Sequence, residues 1–171
     1  MKGSLLQRMD LAIRHLLPFC LTFLLVLFNA MPSRLPGFAA VTPQMAPIGI
    51  FYWAIHRPDL LPPWVAFALG LFNDIVAGTP IGVSSLIYLL IQGMAASQRR
   101  FFHGKSFLVA WWGFLLVGAG ALFLQWLLIS VIYGRLLEPR SVMFEYLMTV
   151  SCYPLLSWLF ARTQLALLQR A

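Results

Sequence analysis

Acid–base chemistry near neutral pH would have to come from few side chains here, the carboxylates Asp10, Asp59, Asp74, Glu138 and Glu145 and the imidazoles His15, His56 and His103. General acid–base catalysis needs such groups converging on one substrate, and a metal centre needs several ligands at short, fixed spacing. These residues are scattered singly. No HExxH, CxxC, GxSxG, phosphate-binding loop or dinucleotide glycine pattern accompanies them. The expectation is therefore no catalytic residue, no cofactor and no metal, with the histidines hydrogen-bonded to headgroups or water at a membrane face.

One carboxylate stands apart. Asp74 lies within the apolar run LGLFNDIVAG, where an ionised group is costly in lipid and must face protein, water or a cation. Phe67, Gly70, Asp74 and Gly78 follow at offsets of three, four and four, which lays them along one helical stripe. The glycines, with Ala66, strip that face of bulk and let a second helix come close. Asp74 is expected about one turn, roughly 5–6 Å, from its helix end, near enough for solvation or for pairing with Arg34, Arg135 or Arg140. A structural or partner-organising role is the simplest assignment. Ligand binding and a proton or ion relay are the sharper ones.

Two further polar stripes use the same spacing. Ser85, Tyr88 and Gln92 form one, and Glu145, Thr149 and Cys152 the other. Such rows either glue helices together, at about 1 kcal/mol or less per hydrogen bond, or line a cavity. Ala110, Gly113, Val117 and Gly120 make a small-residue packing face, and Trp53, Trp64, Trp111, Trp112 and Trp158 are expected to anchor at the membrane interface.

The elements that must position these groups are membrane helices. Of 171 residues, 61% are hydrophobic and 10% charged, where a soluble domain has about 45–50% and about 25%. The mean hydropathy is +0.84. These values exclude a water-soluble globule, a disordered chain and a coiled coil, and two distant cysteines, Cys20 and Cys152, exclude a disulfide scaffold. A β-barrel needs period-two alternation, which is missing. Six apolar segments, at about 15–31, 43–56, 63–77, 80–97, 106–133 and 141–161, predict an all-α polytopic protein forming one integral membrane domain over 1–171. Pro62-Pro63 opens one helix, and Gly78-Thr79-Pro80 supplies a helix stop, an N-cap and a first-turn proline for a tight hairpin. Pro47 predicts a kink.

Lys and Arg accumulate beside the cytoplasmic leaflet. Six crossings from an inner N-terminus put nine of the twelve basic residues inside and only Arg34, Arg135 and Arg140 outside, with both termini cytoplasmic. The net charge of +7 is thus a topological signal, and no nucleic-acid partner is expected. The small residues around Gly37-Phe38-Ala39 resemble a signal cleavage site, against which stand the length of the first apolar run and the five segments that follow.

From Pro47 to Leu90 the sequence PIGIFYWAIHRPDLLPPWVAFALGLFNDIVAGTPIGVSSLIYLL resembles the central signature of the MreD family of bacterial rod-shape-determining membrane proteins. The pattern is a proline-led apolar helix closing on an aromatic and a basic-proline turn, then Phe-x-x-Gly-x-x-x-Asp and further glycines. Pro47, Tyr52, Arg57, Pro58, Phe67, Gly70, Asp74, Gly78 and Gly82 match, and Ile81 stands where leucine is common. The resemblance implies a non-catalytic scaffold of the cell-elongation machinery in the inner membrane. Its implied partners are the bitopic protein MreC, the filament MreB, the glycosyltransferase RodA and a class B penicillin-binding protein, besides membrane lipid. It also implies a fold similar to the S-components of energy-coupling-factor transporters. The alternative reading is accordingly a vitamin-binding S-component. Segment one, HLLPFCLTFLLVLFNAM, lacks the alanine-x-x-x-alanine docking face those proteins share. A lipid-processing enzyme or proton-coupled carrier would rest on Asp74 and Glu145 alone.

Overall fold

The computed structural model describes residues 2–31 and 42–168, and every regular element among them is a helix. In chain order these are α1 (Lys2–Ala30), α2 (Met45–His56), α3 (Pro63–Ala77), α4 (Val83–Ser97), the single turn α5 (Arg99–Phe102), α6 (Phe107–Tyr133) and α7 (Pro139–Leu168). Three helical stretches are long and apolar enough to cross a membrane: Arg8–Ala30, Phe107–Tyr133 and Pro139–Ala166. α2, α3 and α4 are apolar but have only 12, 15 and 15 residues. At 1.5 Å per residue they reach about 18–23 Å, short of a hydrocarbon layer about 30 Å thick.

α2 is the axis of the molecule. Every residue from Ala46 to Ile55 is buried, with α1, α4, α6 and α7 packed around it. A helix apolar on all sides faces lipid or protein, and here neighbouring helices supply protein all round. The Phe51 ring meets Phe102, Phe114 and Tyr153 edge-on, and Phe114 stacks on Tyr153 with centroids 4.6 Å apart. Trp53 is only 1% exposed and belongs to this core against Tyr52 and Phe160, so it is no interfacial anchor. Trp64, Trp112 and Trp158 do face outward, and the Arg162 guanidinium lies over the Trp158 ring.

Polar pairs fix the helix directions. Gln44, just before α2, meets Thr149 in the first half of α7, while Tyr52 near the end of α2 meets Gln164 near the end of α7, so the two run parallel. Asp74 late in α3 meets Ser84 early in α4, so those two are antiparallel.

Several boundaries and roles differ from the sequence expectations. α1 begins at Lys2 rather than near His15, because Leu, Gln, Arg and Met carry the helix on beyond its apolar part. α7 likewise runs from Pro139 to Leu168 instead of 141–161. The kink expected at Pro47 has no cause: α2 starts at Met45, so Pro47 sits in the first turn, where its amide would have no intrahelical partner. Prolines do interrupt α1 at Pro18 and α7 at Pro154. Pro154 cannot donate to the Val150 carbonyl four residues back, and the Trp111 indole N–H donates to it instead at 3.4 Å. Trp111 is therefore a tie between α6 and α7. On α6, a Cβ at Gly113 would overlap the Phe102 ring, whereas Gly120 faces open space. The buried face of α6 comprises Gly113, Phe114, Val117, Gly118, Ala121, Leu122 and Ser130.

Candidate functional site

The α3–α4 hairpin gathers most of the residues that the sequence singles out. At Gly70 the two backbones come close: a Cβ there would overlap the Ser84 and Ser85 main chain. That approach carries Asp74, one turn later, onto the first turn of α4. Its Oδ2 accepts the Gly82 N–H at 2.9 Å, and both carboxylate oxygens accept the Ser84 N–H at 3.1 Å. The Thr79 hydroxyl donates to Oδ1 at 2.6 Å. The first N–H groups of a helix lack internal partners and carry the positive end of its dipole. A carboxylate delivered from the neighbouring helix answers both.

This arrangement revises the sequence reading of Asp74. The residue is 1% exposed, so it is not solvated, and among the described residues no arginine pairs with it; Arg34 lies outside them. α4 begins at Val83, three residues later than expected, because Asp74 supplies its cap and the Thr79 hydroxyl serves Asp74 instead. Gly78 ends α3 in the left-handed region at φ 69°, where a side chain would be strained, and Gly82 precedes α4 at φ 102°. Phe67, placed by the sequence on the same stripe, leaves its ring 47% exposed; only its carbonyl takes part, accepting the Ser85 hydroxyl at 3.2 Å.

Two residues of this knot went unnoticed in the sequence. The Asn73 amide donates to the Ser84 hydroxyl at 3.0 Å. Their signal was adjacency to Asp74 and to the helix start.

The expected α4 stripe divides into three fates. Ser85 bonds to α3, the Gln92 amide reaches the Leu61 carbonyl at 3.4 Å, and Tyr88 is buried with its hydroxyl unpaired. The α7 stripe lines a cavity through Glu145. Thr149 accepts the Gln44 N–H at 3.0 Å, and Glu145 Oε1 accepts the Gln44 side-chain amide at 2.6 Å. Above this clamp, between the end of α6 and the start of α7, lies a cavity of about 390 Å³ with Gln125, Glu138, Ser141 and Glu145 in its wall. Trp126, held by its indole N–H on the Leu137 carbonyl at 3.1 Å, forms its apolar side. Gln44 is the third residue that sequence reading missed; it precedes a helix without capping it by side chain.

Among the described residues no three His, Cys, Asp or Glu side chains converge to hold a metal ion. His56 stacks on Tyr52 with centroids 4.1 Å apart, its Nδ1 within 2.9 Å of the Tyr52 carbonyl.

Comparison with protein families matches residues 9–163 to the family described as rod shape-determining protein MreD. The chain belongs to the MreD family. Searches of curated proteins and of solved structures each return no match. Membership implies a role in rod shape determination, in a family of structural membrane proteins rather than a known enzyme family. The MreD-like signature residues fall into two groups in space. Gly70, Asp74, Gly78 and Gly82 build the hairpin knot just described. Pro47, Tyr52, Arg57 and Pro58 shape α2 and its exit. Pro47 opens the helix, and the Tyr52 hydroxyl donates to Gln164 at 3.1 Å. The Arg57 N–H closes the helix on the Trp53 carbonyl, and its own carbonyl accepts the Leu60 N–H across a turn begun by Pro58.

Proposed function

We propose that this chain is a non-catalytic scaffold of the bacterial cell-elongation complex, organising lateral peptidoglycan synthesis through MreC, MreB, RodA and a class B penicillin-binding protein. The observation that carries the reading is the family match over residues 9–163. The state of Asp74 supports it. A proton or ion relay needs a carboxylate with free access, whereas this one is buried and committed to the hairpin by three donors, the Thr79 hydroxyl and the Gly82 and Ser84 N–H groups.

The same proposal includes six crossings of the inner membrane, both termini cytoplasmic, arranged as in S-components. Nine basic residues against three favour that orientation. The alternating helix directions accord with it, and the short α2 is shielded by protein where it falls short of the bilayer.

The deciding experiment depletes the native protein in a rod-shaped cell and supplies variants at matched membrane levels. Asp74→Asn keeps an acceptor of the same shape and is expected to restore cell width and copurification of the bitopic partner; Asp74→Leu is expected to restore neither. Equal failure of both at equal abundance refutes the hydrogen-bond account of Asp74 in favour of a charged role, either ion pair or proton transfer. A reporter in the 134–140 loop should be external and one after Ala171 cytoplasmic, and the reverse pattern refutes the topology.

A further inference from the structure

The α6–α7 cavity has a chemistry that its own protein does not use up. Gln125, Glu138 and Ser141 make no side-chain hydrogen bond among the described residues, and Glu145 gives one oxygen to Gln44. No basic side chain enters the wall. Two carboxylates, a carboxamide and a hydroxyl around one space of about 390 Å³ call for a compact donor of positive charge. A primary ammonium offers three such donors.

The space is not isolated. An adjoining apolar groove of about 300 Å³ runs between the same helices and shares Leu122, Trp126 and Val142 with the cavity. Its own walls include Phe123 and Met143, which are 61% and 60% exposed on helices apolar enough to lie in lipid. Trp126 separates a polar chamber from an apolar one, its ring fixed by the bond to Leu137. Arg135 and Arg140, exposed three residues before and two after Glu138, stand in sequence beside the polar mouth. The polar chamber thus suits an ammonium and the adjoining groove an acyl chain.

We propose that this site binds a membrane phospholipid with an ethanolamine headgroup, its ammonium among Glu138, Glu145, Gln125 and Ser141 and an acyl chain in the α6–α7 groove. The full chain, purified in detergent, is titrated with phosphatidylethanolamine, phosphatidylcholine and phosphatidylglycerol of identical acyl chains, and retention is read by native mass spectrometry alongside thermal stability. Phosphatidylethanolamine is expected to be retained about tenfold more than phosphatidylcholine, whose methylated ammonium keeps the charge but donates no hydrogen bond. Glu138→Gln and Gln125→Leu are each expected to remove most of that preference. Neither side chain bonds within the protein, so unfolding is not the expected cause, and unchanged stability without lipid checks this. Equal retention of the two zwitterionic lipids overturns the proposal, as does a preference that survives both variants. Strongest retention of phosphatidylglycerol overturns it in favour of an anion site. Competition by free ethanolamine as strong as by the lipid overturns the lipid assignment in favour of a soluble amine.

Discussion

The two hairpins α3–α4 and α6–α7 share a backbone plan and differ in outcome. Each has a five-residue connection, 78–82 and 134–138. Each first helix ends on a left-handed glycine, Gly78 at φ 69° and Gly134 at φ 63°. In each, the residue after that glycine donates its N–H to a carbonyl five positions back, Thr79 to Asp74 at 3.1 Å and Arg135 to Ser130 at 3.2 Å. What differs is the side chain on that carbonyl-bearing residue and the bulk one turn before it, Gly70 in α3 against Trp126 in α6. Asp74 spans the turn and seizes the first turn of α4, closing the hairpin at Gly70. Ser130 is short and neutral, touches only the Leu137 N–H at 3.5 Å, and the helix ends beyond it leave a cavity. Asp74 with Gly70 one turn before it makes a closed polar knot, where Ser130 with Trp126 one turn before it leaves an open polar chamber.

The largest expected effect comes from attacking the closed hairpin where its backbones come close. Gly70→Leu forces a side chain into the Ser84–Ser85 backbone and should cost about 3 kcal/mol, read as a fall in melting temperature in detergent with membrane insertion intact. A wild-type melting temperature would place the hairpin contact elsewhere. Asp74→Leu comes next, at about 2–3 kcal/mol, because it strands the Gly82 and Ser84 N–H groups; Asp74→Asn should lose only about 1 kcal/mol. Ser130→Asp sharpens the comparison with the opposite sign. It gives the second hairpin the reach of the first, and should raise stability by about 1 kcal/mol as α7 gains a cap. Gln44→Leu breaks the clamp on Glu145 and should cost about 1 kcal/mol in the same melting assay. The smallest change is Glu138→Gln, within about 0.5 kcal/mol, since that carboxylate is exposed and unpaired within the protein.

Helix positions were legible in the sequence because apolar runs and the Pro and Gly residues between them are local signals. α2, α3 and α6 begin and end within two residues of the segments drawn for them. The start of α1 was not legible, since hydropathy marks where lipid begins and not where the helix does. Gly70 and Asp74 stood out as a stripe, but the partner of Asp74 did not. A cap supplied from a neighbouring helix depends on the turn between them, and the sequence offered arginines as the more obvious answer to a buried charge. Trp53 misled for a related reason: a tryptophan near a helix end reads as an anchor, unless the whole helix lies inside the protein. The cavity was half legible. Glu145 and Thr149 were on the predicted stripe, whereas Gln44 and Gln125 carry no pattern that sets them apart.

The buried α2 also sets an order of events during synthesis. Both of its ends are tied to α7, Gln44 to Thr149 across 105 positions and Tyr52 to Gln164 across 112. At a ribosomal rate of about 5–20 residues per second, α2 emerges about 5–20 s before those partners exist. During that interval a helix of 12 residues, too short to hold itself across lipid, has its apolar surface to shelter and no finished bundle to enter. The first half of the chain is therefore completed by α7, more than 100 residues later. A nascent chain stopped before α7 lacks both ties and leaves α2 uncovered on that side.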